Sequence, residues 1–206
     1  MKSIKQDKSN NNHPYSDKIV HGNSLEIAET TTEKNLIESG SHALLVYNGM
    51  EAFREIYTQY SRALLPQNEV VVIGTQYESI NDVKNTLRLS GVDVERYLNE
   101  GTLFVLDAQH GYQGADTSGT WKFALSLLSR VKKEGRQGVT WFGDPGSFFS
   151  FEKIEELMQY ELSLPQKYKD SIKIVCSYHL RDFEKLTEAQ QHTLFDHHSK
   201  SIVVEQ

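Results

Sequence analysis

Residues 42–74 read HALLVYNGMEAFREIYTQYSRALLPQNEVVVIG, and the reading of this stretch decides the fold. Its first apolar run, Ala43 to Tyr47, is too short for a buried helix and suits a strand. Met50, Phe53, Tyr57, Tyr60 and Leu64 then recur at three- and four-residue intervals, a spacing that places them on one face of a helix. Asn48, with Glu51 three residues on, is the expected cap at the start of that helix. Pro66 is the expected stop, because its ring blocks a further helical turn. The run Glu69 to Gly74 follows, nearly unbroken in its apolarity, as a strand buried on both faces requires; it belongs in the centre of a sheet. Strand, helix and strand in this order form the repeating unit of a parallel sheet with crossover helices.

The pattern continues downstream. Ile80, Val83 and Leu87 mark a second helix, ended by Gly91, and Asp93 caps a short one carrying Val94, Tyr97 and Leu98, closed by Gly101. Thr102 to Asp107 reads as a strand, and Ala108 to Thr120, with Gly111, Gly114 and Gly119, as a mobile loop. Trp121, Leu125, Leu128 and Val131 predict the face of the next helix, which ends at Gly135; Val139 to Phe142 is a strand and Asp144-Pro145-Gly146 a turn. Phe151, Ile154, Leu157 and Met158 define another helix before the strand Ile172 to Tyr178. Thr187 and Gln190 form a capping box that opens a helix running to about His197, and Ile202 to Val204 closes the chain as an edge strand. The sum is a three-layer α/β/α domain over residues 41–206, with a mainly parallel sheet of about six strands. Upstream, residues 1–40 are rich in Asn, Ser, Thr and Lys with few large apolar side chains, and read as a flexible arm, with at most a short docked helix over Ser24–Ile37.

Composition narrows the function. Lys and Arg number 22 against 28 Asp and Glu in 206 residues, a net charge of −6, so no global field draws in a phosphate backbone and nucleic acid is not an expected partner. No stretch approaches the roughly 18 consecutive apolar residues of a membrane span. The start of the chain runs into Asn and Ser rather than an apolar core and does not read as a secretory signal. Cys176 is the single cysteine, which excludes an intrachain disulfide and fits a reducing, cytoplasmic setting.

In an open parallel sheet ligands bind outside the carboxyl ends of the strands, where loops and helix starts converge. Those ends offer Tyr47 and Asn48; Thr75, Gln76 and Tyr77; Asp107, Gln109 and His110; Gly143 and Asp144; and Tyr178 and His179. Aromatic and polar groups alternate in this set, which suits a small, partly apolar molecule entering among Tyr47, Tyr77, His110 and Tyr178. A phosphate loop is missing: Asn48-Gly49-Met50 joins strand to helix with no lysine for a triphosphate. Asp144 could hold Mg²⁺, but Asp-Pro-Gly reads first as a turn. Cys176 and His179 lie three apart with no second ligand pair, so they read as a buried thiol and an unrelated loop histidine. His197 and His198 would point about 100° apart on a helix and read as solvated. His42, at the start of its strand, reads as hydrogen-bonded to backbone and faces the rim opposite His179. Cys176, silenced by burial, is no nucleophile, and no serine elbow is present. No metal and no cofactor is expected.

The stretch from His42 to Tyr47, the block Gly91-Val92-Asp93-Val94-Glu95-Arg96-Tyr97-Leu98-Asn99-Glu100-Gly101-Thr102-Leu103 and the run Val175-Cys176-Ser177-Tyr178 together resemble the MEDS domain, the methanogen/methylotroph DcmR-type sensory domain. The resemblance runs from about Ser41 to the end of the chain. It implies a fold similar to the RecA/KaiC ATPase core without the phosphate loop, and sensing of simple hydrocarbon derivatives in prokaryotic signalling. The family's characteristic His and Cys match His42 and Cys176, which adds both to the candidate ligand residues. No DNA-binding or kinase segment is expected beside the domain, so output is expected through a signalling partner or a second copy of the chain. The competing expectation is an enzyme: a metal-assisted hydrolase using Asp107, His110 and Asp144, or a divergent nucleotide enzyme. A scaffold with a vestigial pocket is the third.

Overall fold

The computed structural model describes residues 19–22, 37–111 and 118–204; the side chains of residues 19–22, 110, 111, 118 and 121 are outside that description. The strands are β1 (Ile19–Gly22), β2 (His42–Tyr47), β3 (Val70–Thr75), β4 (Leu103–Asp107), β5 (Val139–Gly143), β6 (Ile172–His179) and β7 (Lys200–Val204). The helices are α1 (Met50–Leu64), α2 (Ile80–Leu89), α3 (Val94–Asn99), α4 (Ala108–Gly111), α5 (Ser118–Lys133), α6 (Gly146–Ser150), α7 (Ile154–Ser163), α8 (Leu180–Phe183) and α9 (Glu188–His197). The strands form one sheet in the order β1-β7-β2-β6-β5-β3-β4, with every neighbouring pair parallel.

Side chains alternate across the sheet, so each strand feeds two cores. Ala43, Leu45 and Tyr47 of β2 join Phe53, Ile56, Tyr57 and Tyr60 of α1 and Val83 and Leu87 of α2 on one face. Leu44 and Val46 turn to the other, against Leu127 and Val131 of α5, Leu157 and Met158 of α7 and Leu194 of α9. This is the expected three-layer α/β/α domain. Because a right-twisted strand packs its crossover helix back in one hand only, α1 and α9 lie on opposite faces while their connections run in opposite directions from β2 and β6. The neighbouring ends of β2 and β6 therefore form a topological switch point.

Several local expectations hold. Gly91 takes a φ of 85° after α2, Asp93 accepts from Arg96 N at the start of α3, and Thr187 and Gln190 close a complete capping box. Others are corrected. The sheet has seven strands rather than about six, because Ile19–Gly22, inside the segment read as an arm, pairs with β7. That pairing makes β7 an interior strand, not an edge. Asn48 does not cap α1: the cap position falls on Gly49, whose φ of 88° turns the chain into the helix without a side-chain bond. On α5 the buried face is Ala124, Leu127 and Val131, and Leu125 is exposed; Phe151 is likewise exposed and precedes α7.

Candidate functional site

The ends of β2 and β6 meet in register, Tyr47 opposite His179, with ring centroids 5.3 Å apart. Tyr47 also stacks on Phe53 at 4.8 Å, and Tyr77 lies edge-on to His179 at 5.7 Å. The Tyr47 hydroxyl is buried with no hydrogen-bond partner. Burial, with Asp144 nearby, pushes its pKa well above the ordinary tyrosine value, so the group stays a neutral donor. Tyr77 donates to Asp182, which Lys185 also bonds at 2.7 Å, and the Arg181 guanidinium covers the Tyr77 ring at 4.3 Å. Asp144 is buried, and its two oxygens accept from Gln76 N at 3.0 Å and Gly146 N at 2.9 Å. Burial raises its pKa from 3.8 to about 7, against the pull of those two N–H donors. Each Asp144 oxygen thus accepts one backbone N–H.

A second cluster lies beneath α7 and α9, on the other face of the sheet. His42, Glu161, Cys176 and His198 each present one ligand-type atom, and these atoms all lie within 4.8 Å of one another. The four residues are 0%, 0%, 5% and 1% exposed, respectively. His42 Nε2 is 3.3 Å from Cys176 Sγ and 3.7 Å from Glu161 Oε2, and His198 Nε2 is 3.5 Å from the same oxygen. Tyr178 donates to Glu161 Oε1 at 2.6 Å. Burial and the neighbouring His198 lower His42 to a pKa of about 3, and burial with Glu161 pushes the Cys176 thiol well up. The Glu161 carboxyl, despite burial, is held below the usual range by His198, His42 and Tyr178.

Register explains how the expected residues divide. Val46 pairs with Tyr178 and Tyr47 with His179, so Tyr178 cannot join Tyr47 and Tyr77; its hydroxyl points through the other face to Glu161. Tyr47, Gln76, Tyr77, Asp144 and His179 come together at the strand ends. Thr75 caps Glu78 N at 3.2 Å, Asn48 holds Val204 O through its backbone N–H at 3.2 Å, and Asp107 accepts from Gln109 N at 2.9 Å. The side chain of His110 is outside the described residues. His42 and Cys176 meet, but with Glu161 and His198 rather than with His179. His198 is buried, not solvated. Asp182, Arg181 and Glu161 are not singled out by the sequence, and His198 is read there only as solvated. Glu161 and His198 each left a signal, since Glu161 continues the stripe Ile154, Leu157, Met158 and His198 stands four residues after the buried Leu194.

Among the described residues no helix is long and apolar enough to cross a membrane. The profile of the family described as MEDS, the methanogen/methylotroph, DcmR sensory domain, matches residues 41–198. No curated protein matches the sequence. Among solved structures, an uncharacterized protein, PH0321, from Pyrococcus horikoshii in complex with an unknown peptide is similar with a TM-score of 0.56 and 17% identity, over 86% of this chain and 82% of that one. The flagellar accessory protein FlaH from Methanocaldococcus jannaschii has a TM-score of 0.42 and 11% identity, over 85% of this chain and 75% of that one. The first of these shares the three-layer α/β/α fold, and Asn48-Gly49-Met50 joins strand to helix here with no lysine.

Proposed function

This chain belongs to the MEDS family of sensory domains, and from that premise we propose that it is a non-catalytic receptor for a small, partly apolar molecule of the simple hydrocarbon-derivative class. The molecule sits at the switch point among Tyr47, Tyr77 and His179, and the signal passes to a protein partner. The observation that supports this reading is the Tyr47 hydroxyl, buried without a partner between aromatic rings at the end of β2. A buried polar group left unpaired costs roughly 1–3 kcal/mol, and a ligand hydroxyl, amine or halogen is a group that removes that cost on binding. The rings of Phe53, Tyr77 and His179 supply apolar walls. The Gly49 turn offers no lysine for phosphate, which sets this site apart from a nucleotide pocket.

Output follows from a population shift: an effector that favours one arrangement of Tyr77, Asp182 and Arg181 moves α8, which those residues tie to the strand end. Thermal denaturation of the full chain against a panel of short alcohols, amines and halocarbons tests the reading. At least one member should raise the midpoint, by linkage of binding to folding. Tyr47→Phe should leave the ligand-free midpoint unchanged or raise it, because an unpaired hydroxyl is removed and no protein partner is lost, and should abolish the shift. A flat panel, or an undiminished shift in Tyr47→Phe, contradicts it. Mg-ATP should leave the midpoint unmoved.

A further inference from the structure

The cluster under α7 and α9 has no part in the receptor site at the strand ends, yet it gathers four ionisable side chains where water does not reach. Grouping these four in a core is costly unless each charge is compensated. Two hydrogen bonds fix how the groups face one another. His198 Nδ1 lies 2.7 Å from Leu194 O, and a carbonyl only accepts, so Nδ1 carries a proton and donates it. Tyr178 occupies Glu161 Oε1. That leaves His198 Nε2 and Glu161 Oε2, both buried and without a hydrogen bond, facing each other at 3.5 Å. If the imidazole is neutral, two acceptors confront each other with nothing between them. A cation resolves this; so does a second proton on His198.

A second proton accounts for His198 and Glu161 alone, whereas a cation accounts for all four groups, whose ligand-type atoms lie within 4.8 Å of one another. Around a four-coordinate ion with bonds of about 2.0–2.1 Å to nitrogen and oxygen and about 2.3 Å to sulfur, tetrahedral angles put neighbouring ligand atoms roughly 3.3–3.6 Å apart. The cluster shows 3.3 Å for His42 Nε2 to Cys176 Sγ, 3.7 Å for His42 Nε2 to Glu161 Oε2 and 3.5 Å for His198 Nε2 to Glu161 Oε2. We propose that His42 Nε2, Glu161 Oε2, Cys176 Sγ and His198 Nε2 form a four-coordinate site for a divalent transition-metal ion of the zinc class. Two imidazoles, a thiolate and a carboxylate are the donor types such an ion takes, and the full set of four protein ligands makes the site structural rather than catalytic. Leu194 O and Tyr178 act behind the ligands, fixing the His198 tautomer and aiming the Glu161 carboxylate. Loading releases the Cys176 thiol proton to solvent, so the thiolate and carboxylate together balance the dication. The ligands come from β2, α7, β6 and the turn between α9 and β7, and the ion ties those elements to the sheet.

The test uses the full chain without a polyhistidine tag, purified and dialysed against metal-free buffer, then analysed for metal by mass spectrometry. A second preparation comes from cells grown with cobalt in place of zinc. One zinc-class ion per chain is expected in the first, and a near-ultraviolet thiolate-to-cobalt charge-transfer band with intense visible bands of four-coordination in the second. Because Cys176 is the only cysteine, that band has one source. Cys176→Ser should abolish it, and His198→Gln should lower retained metal by roughly tenfold or more. If either variant fails to fold, the parent spectrum decides alone. A parent chain with neither retained metal nor a cobalt charge-transfer band overturns the proposal and leaves a His198–Glu161 ion pair only; retained metal in Cys176→Ser at the parent level overturns it as well. Tyr47→Phe should keep the cobalt spectrum, so failure here and failure of the receptor reading are seen separately.

Discussion

Asp144 shows how a single residue carries more than its sequence context suggests. Read as turn chemistry, it does start a turn, but its carboxyl is buried and bridges β3 to α6 through Gln76 N and Gly146 N. Its folded pKa, about 7, lies above its ordinary 3.8, so folding favours the protonated form. Its contribution to stability is therefore greatest below about pH 4, declines as pH rises through 7 and is level above that, a span on the order of 4 kcal/mol. Urea unfolding of the parent chain from pH 5 to 8 should show this decline, and Asp144→Asn should flatten it. The variant should also be less stable than the parent at pH 5, since an amide offers one acceptor oxygen for the two N–H groups. Parallel pH profiles for the two chains would count against the assignment. Tyr47 is the contrasting residue: its place at a strand end was legible from the apolar run before it, whereas its lack of a partner depends on what β6 and α1 bring beside it.

Elements were legible where one signal governs them. Strand and helix order, the Gly91 and Asp93 boundaries and the Thr187 capping box all follow from short-range chemistry. The buried face of α5 was not, because Leu125 competes with Ala124 and Leu127 for the same stripe and packing against the second core chooses between them. The division of the candidate residues was hidden for a similar reason. Period-two alternation places Tyr178 and His179 on opposite faces, but only the β2–β6 register shows which face each partner shares. Glu161 on α7 depends on that register, because Tyr178 reaches it across the layer. Tyr178→Phe should cost roughly 1–3 kcal/mol in chemical denaturation, by leaving a buried carboxylate oxygen without its donor. In the loaded chain it should also weaken metal retention about 10- to 100-fold in a chelator competition. Unchanged retention together with unchanged stability would remove Tyr178 from the site.

At the scale of the whole molecule, contacts to the sheet begin before residue 41. Ile37 is 2% exposed, and Gly40 bonds Ile172 O and Tyr168 N at 2.8 and 2.7 Å, so the domain is anchored before residue 41. A chain beginning at residue 41 should unfold about 2–5 kcal/mol more easily than one beginning at residue 37, the range for losing a buried isoleucine; equal stability would leave the boundary at residue 41. The sheet order then separates the two candidate clusters, one at the β2–β6 strand ends and one beneath α7 and α9. The most direct measurement is a crystal structure of the full chain with the panel member that stabilises it most. The account predicts ligand density within hydrogen-bond distance of Tyr47 Oη, walled by Tyr77 and His179. Ligand density only elsewhere, or a nucleoside triphosphate lying along the Asn48–Gly49 backbone, would contradict it.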